Sequence, residues 1–190
     1  VSHLHWNGIN LKTLQLSLNG TLKKQTLTTS VINTYGHANV TLQGGINRSL
    51  KNWRGRVADL SYYQNKQTRW QLNKPAQLTL SQDRARLNSL CLTNKKNGSL
   101  CIQGNWSRDE KWAAFINSKL SLALINASLP NHTQLQGRLD AKIQASGLGP
   151  TLGRASIKAA LYQGAIHVNK KPDFLTIPIN RATLTAHYKN

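Results

Sequence analysis

Apolar and polar side chains alternate along much of this chain. Leu14, Leu16 and Leu18 are separated by Gln15 and Ser17, Val40 and Leu42 flank Thr41, Leu78 and Leu80 flank Thr79, and Leu120, Leu122 and Leu124 are separated by Ser121 and Ala123. Farther on, Leu135, Leu139, Ala141, Ile143 and Ala145 share one parity while Gln136, Arg138, Asp140, Lys142 and Gln144 hold the other. Successive side chains of a strand project to opposite faces, so a sheet buried on one side carries this period of two. Many runs close on Gly or Asn, at Asn19-Gly20, Gly44-Gly45, Asn97-Gly98, Gly104-Asn105 and Ser146-Gly147, residues that accept the positive φ of tight turns. The pattern predicts an all-β chain of successive antiparallel hairpins, with Pro130, Pro150, Pro172 and Pro178 at turns, strand ends or edges. An alternating run that ends in Gly recurs in LQLSLNG, VTLQGG, LCIQGNW and LQGRLDAKIQASG, as in stacks whose units bury their faces against neighbours.

Helical spacing is scarce. In RDEKWAAFINSK (residues 108–119), Asp109 and Glu110 are placed to open a helix, yet Trp112, Ala114 and Ile116 fit the strand parity that runs on into Leu120, and both readings stay open. No apolar run approaches the roughly 18 residues of a membrane helix. With no composition shift to mark a boundary, residues 1–190 are expected to form one elongated segment. Val1 enters in mid-pattern and Asn190 follows directly on an alternating run, so the chain is expected to be a section of a longer protein.

The two cysteines sit in LNSLCLTNKKNGSLCIQGNW, two alternating runs joined by a loop. Pairing Leu90 with Ile102 and Leu92 with Leu100 sets Cys91 opposite Cys101, on the face away from the apolar row. Free thiols are usually buried, so an exposed, opposed pair points to a disulfide and to an oxidising compartment such as a periplasm. Two cysteines at this spacing with no nearby His are an incomplete zinc set.

Charge adds to the picture. The chain has 25 Lys and Arg against 6 Asp and Glu, a net +19, so its surface attracts anions. The few carboxylates are isolated apart from Asp109-Glu110, and no nucleophile-elbow, phosphate-loop or zinc-protease motif occurs, which argues against an enzyme. His3 and His5 share a face but are read as surface residues, and neither a metal nor a cofactor is expected. Sequons at Asn19, Asn39, Asn47, Asn97, Asn105, Asn126 and Asn131 are read as a product of composition and not as glycosylation sites. The cations are scattered, without the compact stripe and interleaved aromatics of a nucleic-acid binder.

A leucine-rich sheet face must be covered by a second sheet, by helices or by something outside the chain. One expectation is a closed β-sandwich. The other is a single long sheet curled into a trough, lined by Leu14, Leu16, Leu18, Leu42, Leu90, Leu92, Leu100, Ile102, Leu122, Leu124, Leu139, Ile143, Ile157 and Leu161, that fits acyl chains while the basic exterior suits anionic headgroups. An open trough also invites self-association.

The run from Trp53 to Trp106, with WRGRVADLSY, RWQLNKPAQLTLS and a CL…GSLCIQGNW cysteine pair, resembles the mid-to-C-terminal periplasmic region of the TamB family, and ASLPNHTQLQGRLDAKIQASGLGP is similar to the segment that follows in those proteins. The resemblance implies a β-taco of the AsmA-like, bridge-like lipid transfer group, held in the periplasm as part of an inner-membrane-anchored protein. It implies phospholipid as cargo, support for outer-membrane protein assembly, and a TamA-like outer-membrane partner reached through the parent protein. The competing expectation is a periplasmic chaperone or scaffold that binds nascent, unfolded outer-membrane β-strands by edge pairing.

Overall fold

The computed structural model describes residues 2–6, 9–34, 36–47, 51–64, 68–130, 132–170 and 173–190, with the side chains of 2–6, 9–11, 68, 127, 128, 169, 170, 173 and 174 left outside the description. Among these residues there are thirteen strands and one 3-10 helix, so the chain is all-β. They fall into two compact units, Val1–Asn94 with Gln103–Glu110, and Lys95–Ile102 with Lys111–Asn190.

The first unit is built from β1 (Ser2–Trp6), β2 (Ile9–Thr21), β3 (Lys24–Asn33), β4 (His37–Asn47), β5 (Asn52–Gln64), β6 (Thr68–Leu72), β7 (Ala76–Ser81) and β8 (Arg84–Asn94). Each of β1 to β5 pairs antiparallel with the next. One half of β5 then pairs with β7 and the other with β6, and β8 pairs with both. A single strand position is thus split at Asn73–Pro75. Pro75 has no N–H to give to a ladder, and Asn73 N donates instead to Cys91 O at 2.8 Å.

Most of the glycine breaks are not turns. Asn19-Gly20 lies within β2, Gly44-Gly45 within β4, Gly104-Asn105 within β9 (Gly98–Ser107) and Ser146-Gly147 within β11 (Thr133–Leu148). The β2–β3 turn is made by Leu22 and Lys23, and it folds over β4: Ile46 N donates to Leu22 O at 2.7 Å. A Cβ at Gly45 would meet Lys23 O at 1.9 Å, so this glycine marks a close approach of two backbones. Asn97-Gly98 does close a turn, with Gly98 at φ 113.

The second unit holds the start of β9, then β10 (Lys111–Ser121), β11, β12 (Thr151–Lys170) and β13 (Asp173–Lys189). The last four pair antiparallel in chain order. Residues 111–121 are a strand, so the parity reading of this stretch holds over the helical one. Asp109 and Glu110 form a turn before it, with Glu110 at φ 58.

The strand alternation does not reach Leu122 and Leu124. Ser121 Oγ accepts from Ala123 N at 3.3 Å and starts the 3-10 helix Leu122–Ser128. The amide of Asn126 then imitates a strand neighbour of Leu135, donating to its O at 3.1 Å and accepting from its N at 2.8 Å. Pro130 follows this helix, Pro150 sits in the β11–β12 turn, and Pro178 lies in β13, at the end of the strand order where a missing donor is tolerated. Pro172 lies outside the described residues.

Candidate functional site

Cross-strand register sorts the first unit into two faces. Leu14, Leu16 and Leu18 of β2 stand opposite Val31, Thr29 and Leu27 of β3. Leu27 faces Leu42, and Thr29 faces Val40. Leu42 then faces Val57, Val40 faces Leu60 and Ile46 faces Trp53. The row continues through Trp53 to Leu80, Leu78 to Leu87, and Leu72 to Leu92. Leu90 shares the alternation of Leu92.

The opposite face is polar. Gln15, Ser17 and Asn19 meet Ser30, Thr28 and Thr26, Gln43 meets Arg56, and Gly45 meets Arg54. His37 stacks on Tyr63 at 6.0 Å between centroids while its Nε2 lies 3.0 Å from Ser30 Oγ, and the Arg69 guanidinium sits 4.9 Å over the same tyrosine ring.

The apolar face has little over it. Among the described residues the buried hydrophobic side chains are Val57 at 5% exposure and Ala76 at 2%, whereas Leu16 and Leu18 keep 65% and 66% of their surface in water. A concavity of about 340 Å³ opens on this face, lined by Leu18, Gln25, Leu27, Leu42, Trp53, Leu78 and Leu80. Trp53 forms one wall. Its ring lies across Gly44 and Gly55, where a Cβ would meet it at 2.5 Å and 2.4 Å. Gln25 is the one lining residue that brings a polar side chain.

The second unit repeats the division. Trp112, Ala114, Ile116 and Leu120 of β10 face Gly147, Ala145, Ile143 and Leu139 of β11. Those face Leu152, Ala155, Ile157 and Leu161 of β12, and β13 adds Tyr188, Ala186, Leu184 and Ala182. Leu184 is 59% exposed. The Trp112 indole N–H donates to Gly149 O at 3.0 Å, which holds the ring at the β11–β12 turn.

Of the residues the alternation singled out, Leu14, Leu16, Leu18, Leu42, Leu90 and Leu92 share the apolar face of the first unit. Leu139, Ile143, Ile157 and Leu161 share that of the second. Leu122 and Leu124 belong to the 3-10 helix and to neither strand face. On β9, Leu100 is half-buried and Ile102 is exposed. Sequence reasoning passed over Leu27, Trp53, Leu78 and Leu80 as lining residues, although the alternation at Leu78 and Leu80 marks them.

Cys91 and Cys101 are disulfide-bonded, and Ser89 Oγ donates to Cys91 Sγ at 3.2 Å. Among the described residues no three His, Cys, Asp or Glu side chains gather as a metal set, and the side chains of His3 and His5 lie outside the description. The Asn126 sequon has its amide engaged with Leu135, and Asn131 is not described. No helix among the described residues is long and apolar enough to cross a membrane.

These faces can take apolar groups out of water. Residues 1–190 match the family model described as TamB, N-terminal domain. No curated protein and no solved structure matches the chain. The resemblance of Trp53–Trp106 pointed to a mid-to-C-terminal region; the match carries the family and not that position.

Proposed function

Because the chain belongs to the TamB family, we propose that it is a section of a hydrophobic groove that passes phospholipid acyl chains between the two membranes of a cell envelope and supports outer-membrane protein assembly. Its setting is the periplasm, as part of an inner-membrane-anchored protein working with a TamA-like outer-membrane partner. The observation that carries this reading is the leucine face of β2–β7, where Leu16 and Leu18 stay about two-thirds exposed beside a concavity of about 340 Å³.

The mechanism is passive. Each methylene that leaves water contributes about 0.8 kcal/mol, and a face with no polar partners holds an acyl chain without fixing its position. The chain can then slide from one leucine row to the next at nearly constant free energy. The Cys91–Cys101 disulfide is suited to an oxidising compartment.

Leu18→Asp puts a carboxylate at the lip of the concavity. A photo-crosslinker at Leu42 is expected to capture phospholipid in the parent sequence and to lose most of that adduct in the Leu18→Asp variant. Equal capture by both would remove Leu18 from the groove and sink the reading for this face.

A further inference from the structure

The polar face of β11–β13 is a grid. Register places Arg138, Tyr162 and Arg181 in one row, then Asp140, Ala160 and Thr183, then Lys142, Lys158 and Thr185, then Gln144, Ser156 and His187, and last Ser146, Arg154 and Lys189. Arg138, Lys142, Arg154, Lys158, Arg181 and Lys189 are all exposed. Six of these fifteen positions are thus Lys or Arg and one is Asp. That carboxylate, Asp140, is held by Arg138, with Nε 3.1 Å from Oδ1.

The arrangement works against folding. Lys142 stands directly opposite Lys158, and Arg154 directly opposite Lys189, although like charges facing across strands destabilise a sheet. The neighbouring row of Gln144, Ser156 and His187 shows what a solvated face carries without that repulsion. An external layer of negative charge would turn both pairs from a cost into a contribution.

We propose that this face docks on the surface of an anionic phospholipid bilayer. Five rows at two residues each span about 27 Å and three strands about 10 Å, a broad array that matches a plane of headgroups and has no cleft for a single ligand. The tyrosine ring on it is already covered: Arg138 Cζ lies 5.3 Å and Arg181 Cζ 5.6 Å from the Tyr162 centroid. A nucleic-acid base would therefore find the tyrosine face already occupied. This site is independent of the groove, because Ile143, Ile157 and Ala186 point to the other side of the same strands.

The test is co-sedimentation of the 190-residue chain with vesicles of phosphatidylglycerol and phosphatidylcholine, against phosphatidylcholine alone. Binding is expected only to the anionic vesicles and is expected to fall steeply with added salt. Each lysine near the surface is worth a factor of about five, so Lys142→Gln with Lys158→Gln lowers the partition coefficient about 25-fold. The double variant removes a repulsion, and circular dichroism is expected to show an unchanged sheet. Leu18→Asp, run beside it, is expected to bind as the parent does, which separates this site from the groove. Equal binding to neutral vesicles, or an undiminished double variant, overturns the proposal. So does complete displacement by soluble polyglutamate at matched charge, which would make an acidic polymer the partner.

Discussion

Gly45 reads as a turn residue in the sequence and is a contact residue in the fold. The signal is the same in both cases, because a missing side chain serves a positive φ and a close backbone approach alike. Only the pairing of β4 with β5 and the descent of the Leu22-Lys23 turn onto it decide between them. Gly45→Ala is expected to cost about 1–3 kcal/mol, the usual range for forcing extra volume into a packed position, measured as a shift of the urea midpoint. Leu122 and Leu124 show the reverse error. Their spacing continues the strand, but the hydroxyl of Ser121 caps a 3-10 turn, a local hydrogen bond that hydrophobic parity does not record.

At the scale of elements the period of two was enough. It marks β2, β4, β7, β10 and β11, and it sets Cys91 opposite Cys101, the pair that is disulfide-bonded. The disulfide closes a short loop, so Cys91→Ser with Cys101→Ser is expected to lower stability by about 2–3 kcal/mol, read by thermal melting against the oxidised parent. Charge pairing was less legible, since a lysine's neighbour across a strand depends on register. With Lys142 opposite Lys158, Lys158→Glu converts repulsion to attraction and is expected to gain about 0.2–1 kcal/mol in the same melt. A loss of stability in that variant would mean that the two side chains do not meet. Gln163, at φ 51 in β12, falls where two residues of β12, Gln163 and Gly164, stand against Gly137 of β11, a bulge whose signal in the sequence is the two in-strand glycines.

For the chain as a whole, the sequence located an apolar surface, with Leu18 and Leu42 of its concavity, but not the tryptophan wall that shapes it. Trp53 became a wall only because Gly44 and Gly55 face each other beneath its ring. The scarcity of buried hydrophobic side chains among the described residues is the physical core of the functional reading. A fully buried leucine is worth about 1.5–3 kcal/mol, and side chains left two-thirds exposed keep most of that for a ligand. Leu18→Asp should therefore change folding stability by no more than about 0.5 kcal/mol, as surface substitutions do, while abolishing lipid capture. A large stability loss would instead mean that Leu18 is covered in solution. The most direct measurement is native mass spectrometry of the chain purified without detergent and without reductant, followed by lipid extraction. The groove account predicts that phospholipid leaves with the protein, at a mass lower by the two hydrogens of one disulfide. A lipid-free chain that also refused added phospholipid would contradict it, and would mean that the leucine faces are closed by the chain itself or by a second copy.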